Sequence, residues 1–248
     1  MTGVVDQCLW VSPSAVSPRL AETSAQRFAR SIADRCQVVV IGLRVWGLGL
    51  SDPYDVTTEV AAVEQAAADL GWSRYHLFGF SAGATVALAT ARANPRAVRT
   101  VAGFEPATIG DDDWNPVETR WRRDLARVRQ LVPRQRQQAF RRLLMAPGQQ
   151  LPSHLPAPPI WDAHTDKLED MLADVGFVSA DLARVTQPAL ISSGALSNPR
   201  FRQLAERLVD VLPHAQPVLF EGCSHLAPPH RVARDQLADE LTKLWGRG

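Results

Sequence analysis

Short apolar runs alternate with stretches of helical periodicity along most of the chain. That alternation predicts an α/β fold, a mostly parallel central sheet flanked by helices. "QCLWV" (7–11) reads as the first clear strand, followed by the loop "SPSAVSP", and a helical pattern covers about 20–34. "CQVVVIGL" (36–43) is the second strand, and its unbroken β-branched run predicts burial. After the loop "WGLGLSDP" (46–53), residues 57–71 form a helix that Thr57 or Thr58 would cap and Gly71 would end. "YHLFGF" (75–80) is a strand, the alanine-rich segment 82–95 a helix halted before Pro95, and "VRTVAGFEP" (98–106) the next strand.

The alternation then breaks. Residues 111–180 hold an acidic turn (Asp111, Asp112, Asp113), two helix candidates and the proline-rich "LPSHLPAPPIW". They read as a helical cap inserted between two parts of a core, residues 1–110 and 181–248. From Val185 the strand–helix rhythm resumes: "PALISS" is a strand, 200–212 a helix, "QPVLFEG" (216–222) a strand and 232–246 a closing helix. Within the cap, residues 120–142 contain nine arginines and a single acid, Asp124. Trp121, Leu125, Val128 and Val132 recur at i, i+4, i+7 and i+11, so one helix face is apolar and the remainder basic.

Composition changes this picture little. At 248 residues with 46% hydrophobic and 21% charged residues, the chain suits one large globular domain. A net charge of +1 is not that of a molecule built to seek nucleic acid or anionic membrane. Three separated cysteines, Cys8, Cys36 and Cys223, form no CxxC pattern and point away from a disulfide framework or zinc site. With no signal sequence and no apolar run of membrane-spanning length, a cytoplasmic location is expected.

The chemistry gathers around "GFSAG" (79–83), which fits G-x-S-x-G between a strand and a helix. A strand that turns sharply into a helix lifts Ser81 clear of the sheet edge, and the helix N-terminus beneath it favours negative charge. On this motif and three others the chain resembles the α/β-hydrolase fold family, over roughly residues 7–110 and 182–246. "RVWGLGLSDP" (44–53) is similar to the family loop D-x-R-G-x-G-x-S-D, with Gly47, Gly49, Ser51 and Asp52 in register and Arg44 in place of the aspartate. "LARVTQPALISSG" (182–194) resembles the strand leading to the family's acid loop, and "EGCSHLAPPH" (221–230) the loop bearing its histidine.

A serine hydroxyl needs a base, and a late histidine on a loop after a strand can supply one. His225 falls in that place; His230 and the strand residue His76 are weaker rivals. The carboxylate that would orient the imidazole is missing where the family carries it, because 194–198 reads Gly-Ala-Leu-Ser-Asn. In some members the acid follows the strand after the elbow helix, and the resemblance therefore implies Glu105. Glu221, a structural Asp52, or no acid at all with Ser197 or Asn198 in its stead remain open. For the oxyanion hole, the resemblance implies the backbone N–H groups of Ala82 and, since Pro13 has none, Ser14.

The expectation is a serine hydrolase that cleaves an ester or thioester of a hydrophobic acyl substrate, a small molecule. Ser81 is the nucleophile, His225 the base and Glu105 the acid, with no cofactor and no metal; "WDAHTD" (161–166) reads as surface polar groups. The cap arginines offer a landing place for an acidic carrier protein. Two further readings stand beside it: a non-hydrolytic cyclase or lyase on the same fold, and a catalytically silent binding module.

Overall fold

A computed structural model describes residues 6–14, 23–153, 155 and 161–248. The first residues of the predicted 20–34 helix, and parts of the "SPSAVSP" loop and the proline-rich segment, lie outside the described residues. Six strands form one sheet, paired in parallel throughout: β1 (Asp6–Ser12), β2 (Cys36–Gly42), β3 (Tyr75–Phe80), β4 (Val98–Phe104), β5 (Ala189–Gly194) and β6 (Ala215–Phe220), in the order β2-β1-β3-β4-β5-β6. Helices α1 (Ser24–Ser31), α2 (Val56–Asp69), α3 (Ala82–Ala93), α8 (Pro199–Val211), α9 (Pro229–Val232) and α10 (Arg234–Trp245) connect and cover it.

Period-two alternation splits β1 between the two faces. Leu9 and Val11 join Leu77, Val86, Val101 and Ile191 in one core beneath α2, α3 and α8. Cys8 and Trp10 face Phe28, Phe78, Phe104 and Trp245 in the other, under α1 and α10. The expectation of a buried second strand is corrected: β2 is an edge strand, and residues 38–42 are half-buried. Its β-branched run suits any pleated surface, so composition alone did not reveal its place in the sheet.

Local chemistry explains the helix ends. Asp55, not Thr57 or Thr58, caps α2 by accepting from Thr58 N at 2.8 Å, and Gly71 at φ +70° carries the chain out of that helix. Asn115 caps the arginine-rich helix α4 (Pro116–Arg129), with Pro116 in the first turn, where a missing N–H costs nothing. Between β4 and β5 the chain adds α4, α5 (Pro133–Leu143), α6 (Ala163–Ala173) and the single turn α7 (Ser179–Leu182). The predicted apolar face therefore holds only within α4. Trp121 and Val128 are buried there, whereas Val132 lies beyond the helix and is 59% exposed, because Pro133 starts a new helix.

Candidate active site

At the carboxyl end of β3 the chain reverses into α3 through Ser81, at φ 54° and ψ −125°. A side chain on either flanking glycine could not fit. A Cβ on Gly79 would lie 2.3 Å from the carbonyl of Gly83, and one on Gly83 would lie 2.1 Å from that of Val11. The glycines let strand, turn and helix approach closely enough to aim Ser81 outward. Among the described non-glycine residues only Ser81 and Glu105 (φ 49°) have positive φ. Such conformations cost roughly 1–3 kcal/mol each and persist where the surroundings over-determine them. Ser81 N donates to Phe104 O at 3.0 Å and Glu105 N to Ser192 O at 2.8 Å, so the sheet's end holds both.

These two residues meet on His225. Ser81 Oγ is 3.1 Å from Nε2 of the imidazole, and Glu105 Oε2 is 2.7 Å from Nδ1. Glu105 is fully buried, and its other oxygen accepts from Gly194 N at 2.7 Å. The loop after β5 thus contributes a backbone N–H to the carboxylate instead of carrying an acid itself. Since β4 and β5 are neighbours, a glutamate at the end of β4 reaches the same spot. With its proton on Nδ1 facing the carboxylate, the ring leaves Nε2 free to take the hydrogen of Ser81.

The imidazole is also fixed by packing. The Phe201 ring stacks on it at 4.6 Å and 18°, and Phe80 lies 4.9 Å away. Its backbone N donates to Ser197 Oγ at 2.7 Å. Ser197 therefore anchors the histidine loop rather than the imidazole, and Asn198 serves as the cap of α8. Gly194 is needed for this contact, because a Cβ there would lie 2.5 Å from Cys223 O.

The rivals fall elsewhere. Glu221 is exposed, and Asp52 accepts from Gly49 N at 2.7 Å within its own turn. His76 is buried against Thr100, 2.8 Å from its Oγ1, and Nε2 of His230 lies 3.1 Å from Ser24 Oγ. Arg44, in place of the family's aspartate, has its N–H bound by the buried Glu59 at 2.8 Å.

Of the two expected oxyanion donors, Ala82 opens α3, so its N–H has no acceptor within the helix, and it lines the cavity above Ser81. Ser14 is not brought there. It is exposed, and its N–H donates to Ser12 Oγ at 3.3 Å, while Pro13, which has no N–H, takes the place at the cavity wall.

That cavity measures about 430 Å³ and is walled by Trp46, Trp121, Leu125, Phe140, Trp161 and Phe201, with Ser81 and His225 at its base. Its roof comes from α4, α5 and α6, and α4 is tied to α8 by a buried ion pair that sequence reading missed. Arg200 of α8, 2% exposed, donates through Nε to Glu118 Oε2 at 2.6 Å and through its terminal nitrogen to Ala107 O at 2.9 Å. The sequence hint was the run "NPVE", a cap, a proline and an acid in a first turn.

The side chains of "WDAHTD" have protein partners. Asp162 caps α6, Asp166 accepts from Trp161 Nε1 at 2.8 Å, and His164 Nε2 is 3.0 Å from Leu48 O. No cluster of possible metal ligands occurs among the described residues, and none of their helices is long and apolar enough to cross a membrane.

A parallel sheet with a serine on a strained strand–helix turn, beneath a roofed cavity, is the architecture of the α/β-hydrolase class. The chain belongs to the alpha/beta hydrolase family, whose model matches residues 9–240. Among similar solved structures is an alpha/beta hydrolase from Sphaerobacter thermophilus, 25% identical with a TM-score of 0.67, covering 98% of this chain and 93% of that one. A thermophilic esterase from Thermogutta terrifontis is 20% identical with a TM-score of 0.64, over 98% and 92% of the two chains. A bacterial membrane phospholipase A is 22% identical with a TM-score of 0.71, over 98% and 79%. None of the curated proteins matches the chain by sequence.

Proposed function

We propose that this protein is a serine hydrolase that cleaves an ester or thioester of a hydrophobic acyl substrate. The observation that carries this is the unbroken chain of contacts Ser81–His225–Glu105, at 3.1 and 2.7 Å, under an aromatic-walled cavity. Nε2 of His225 takes the hydroxyl proton as Ser81 Oγ bonds to the acyl carbon. The same proton passes to the departing alcohol or thiol as the tetrahedral intermediate collapses. Water then repeats the sequence on the acyl-enzyme and frees the acid. Glu105 stabilises the imidazolium formed at each stage, and the Ala82 N–H faces the developing oxyanion. Family membership and likeness to an esterase support acyl chemistry in general terms.

A small-molecule substrate fits better than a carrier protein. Five of the nine arginines in 120–142 (Arg122, Arg123, Arg127, Arg129 and Arg136) have a carboxylate within 4 Å, several from outside that stretch. The basic face is thus partly neutralised, which weakens any long-range pull on an acidic partner.

A second reading, a cyclase or lyase that forms no lasting acyl-enzyme, draws on the engaged N–H of Ser14, which leaves Ala82 as the donor at the cavity. Incubation with a fluorophosphonate separates the two. Labelling that disappears in Ser81→Ala, together with turnover of p-nitrophenyl acyl esters, supports the hydrolase. An unlabelled wild-type protein at high probe concentration rejects it in favour of the second.

A further inference from the structure

Glu169 of α6 lines the cavity above Ser81, together with Thr165, Leu168 and Leu172 of the same helix and Leu125 and Arg129 of α4. Every other carboxylate named at the site has a partner: Glu105 holds His225 and Gly194 N, and Glu118 holds Arg200 and Arg122. Glu169 has charged neighbours, Arg129 of α4, Arg200 of α8 and, on its own helix, Asp166 and Asp170, but no hydrogen-bond donor among the described residues. Both arginines already serve other carboxylates, Arg129 that of Asp170 at 2.5 Å and Arg200 that of Glu118. Burial raises the carboxyl of Glu169 to about 7, the opposite of what an ion pair would do. Glu169 is half-buried and its carboxyl stands at the cavity wall, so a donor carried by a ligand in the cavity can reach it.

We propose that Glu169 is a specificity-determining residue that binds a neutral hydrogen-bond donor, a hydroxyl or amide N–H, on the non-reacting part of the substrate. This rests on the cavity being the substrate site, as in the function proposed above. A cationic donor fits less well, because an ammonium at Glu169 would share its surroundings with the guanidiniums of Arg129 and Arg200. A neutral hydroxyl suits the carboxyl in either protonation state, accepting its hydrogen bond when protonated and donating to it when ionised. Selectivity follows from loss as much as gain: an analogue without the donor leaves the carboxyl desolvated and unpaired.

The test measures binding and needs no turnover. Trp46, Trp121 and Trp161 line the same cavity and report occupancy through their fluorescence. The probes are 1-alkanols of four to eight carbons and their methyl ethers, which keep the oxygen but lose the donor. At the best-fitting length the alkanol is expected to bind about tenfold more tightly than its ether, roughly 1.4 kcal/mol. That preference should persist in Glu169→Gln, which still offers an acceptor, and in Ser81→Ala, which removes the hydroxyl at the base of the cavity. It should fall to near unity in Glu169→Leu, or in Glu169→Met should leucine not fold. Ethers binding as well as alkanols at every length in the wild-type protein would overturn the assignment. So would an undiminished preference in both apolar variants, or tighter binding of n-alkylammonium ions than of alkanols. Loss of fluorophosphonate labelling would sink the hydrolase and leave these binding ratios standing, whereas reversed ratios with normal ester turnover would sink only Glu169.

Discussion

Replacing Glu105 with glutamine removes one charge, keeps the shape and tests the catalytic geometry directly. The wild-type carboxylate accepts two hydrogen bonds, from Nδ1 of His225 and from Gly194 N, each at 2.7 Å. Glutamine offers one oxygen and one NH2, so it cannot accept both. If its oxygen keeps Gly194, the NH2 points at Nδ1, which must then be unprotonated. The proton moves to Nε2, the imidazole presents a donor to Ser81, and the base is lost. If instead the oxygen keeps His225, the NH2 faces the Gly194 N–H in a fully buried site, where an unsatisfied donor costs roughly 1–3 kcal/mol. The first arrangement puts the imidazole in the wrong tautomer, a fault that lowers kcat by about 10⁴, or some 5 kcal/mol of barrier. Steady-state hydrolysis of a p-nitrophenyl ester, with the rate of fluorophosphonate labelling of Ser81, reads the loss. Circular dichroism and thermal melting establish that the variant is folded. A folded Glu105→Gln protein within tenfold of wild-type kcat would refute Glu105 as the orienting acid, with the serine mechanism intact.

Other perturbations have equally definite outcomes. Gly194→Ala places a Cβ 2.5 Å from Cys223 O, so the histidine loop must shift; kcat should fall at least tenfold, and an unchanged rate would show that the loop has slack. Glu118→Ala strands the buried guanidinium of Arg200 and should cost about 3–5 kcal/mol by urea unfolding, while the double replacement Glu118→Leu with Arg200→Met recovers most of that. Burial lifts Glu169 from an ordinary 4.5 to about 7, so the folded state binds the proton more tightly than the unfolded chain. Its contribution is therefore full below pH 4.5 and is lost as pH rises through 7. Wild type should lose up to about 3 kcal/mol relative to Glu169→Gln between pH 4 and 8, and parallel stability–pH curves would contradict the shift.

Local physics is written into the chain and was legible there. Alternating apolar runs marked all six strands to within a few residues, because period-two burial and helical periodicity are properties of a segment and its neighbours in sequence. Ser81 was legible for the same reason: a tight turn between strand and helix requires the glycines that flank it, and their spacing is visible without coordinates. His225 followed from its loop after the last strand. What sequence could not order was the sheet. That β2 is an edge, and that β4 lies beside β5 so that Glu105 fills a place left empty at Gly194–Asn198, depend on strands meeting across 89 positions of chain. That Ser14 bonds Ser12 and does not line the cavity depends on the local turn, which its position in the chain did not reveal. The Arg200–Glu118 pair and the unpartnered carboxyl of Glu169 exist only where distant helices enclose a cavity, since burial and pairing are set by what surrounds a group and not by what precedes it.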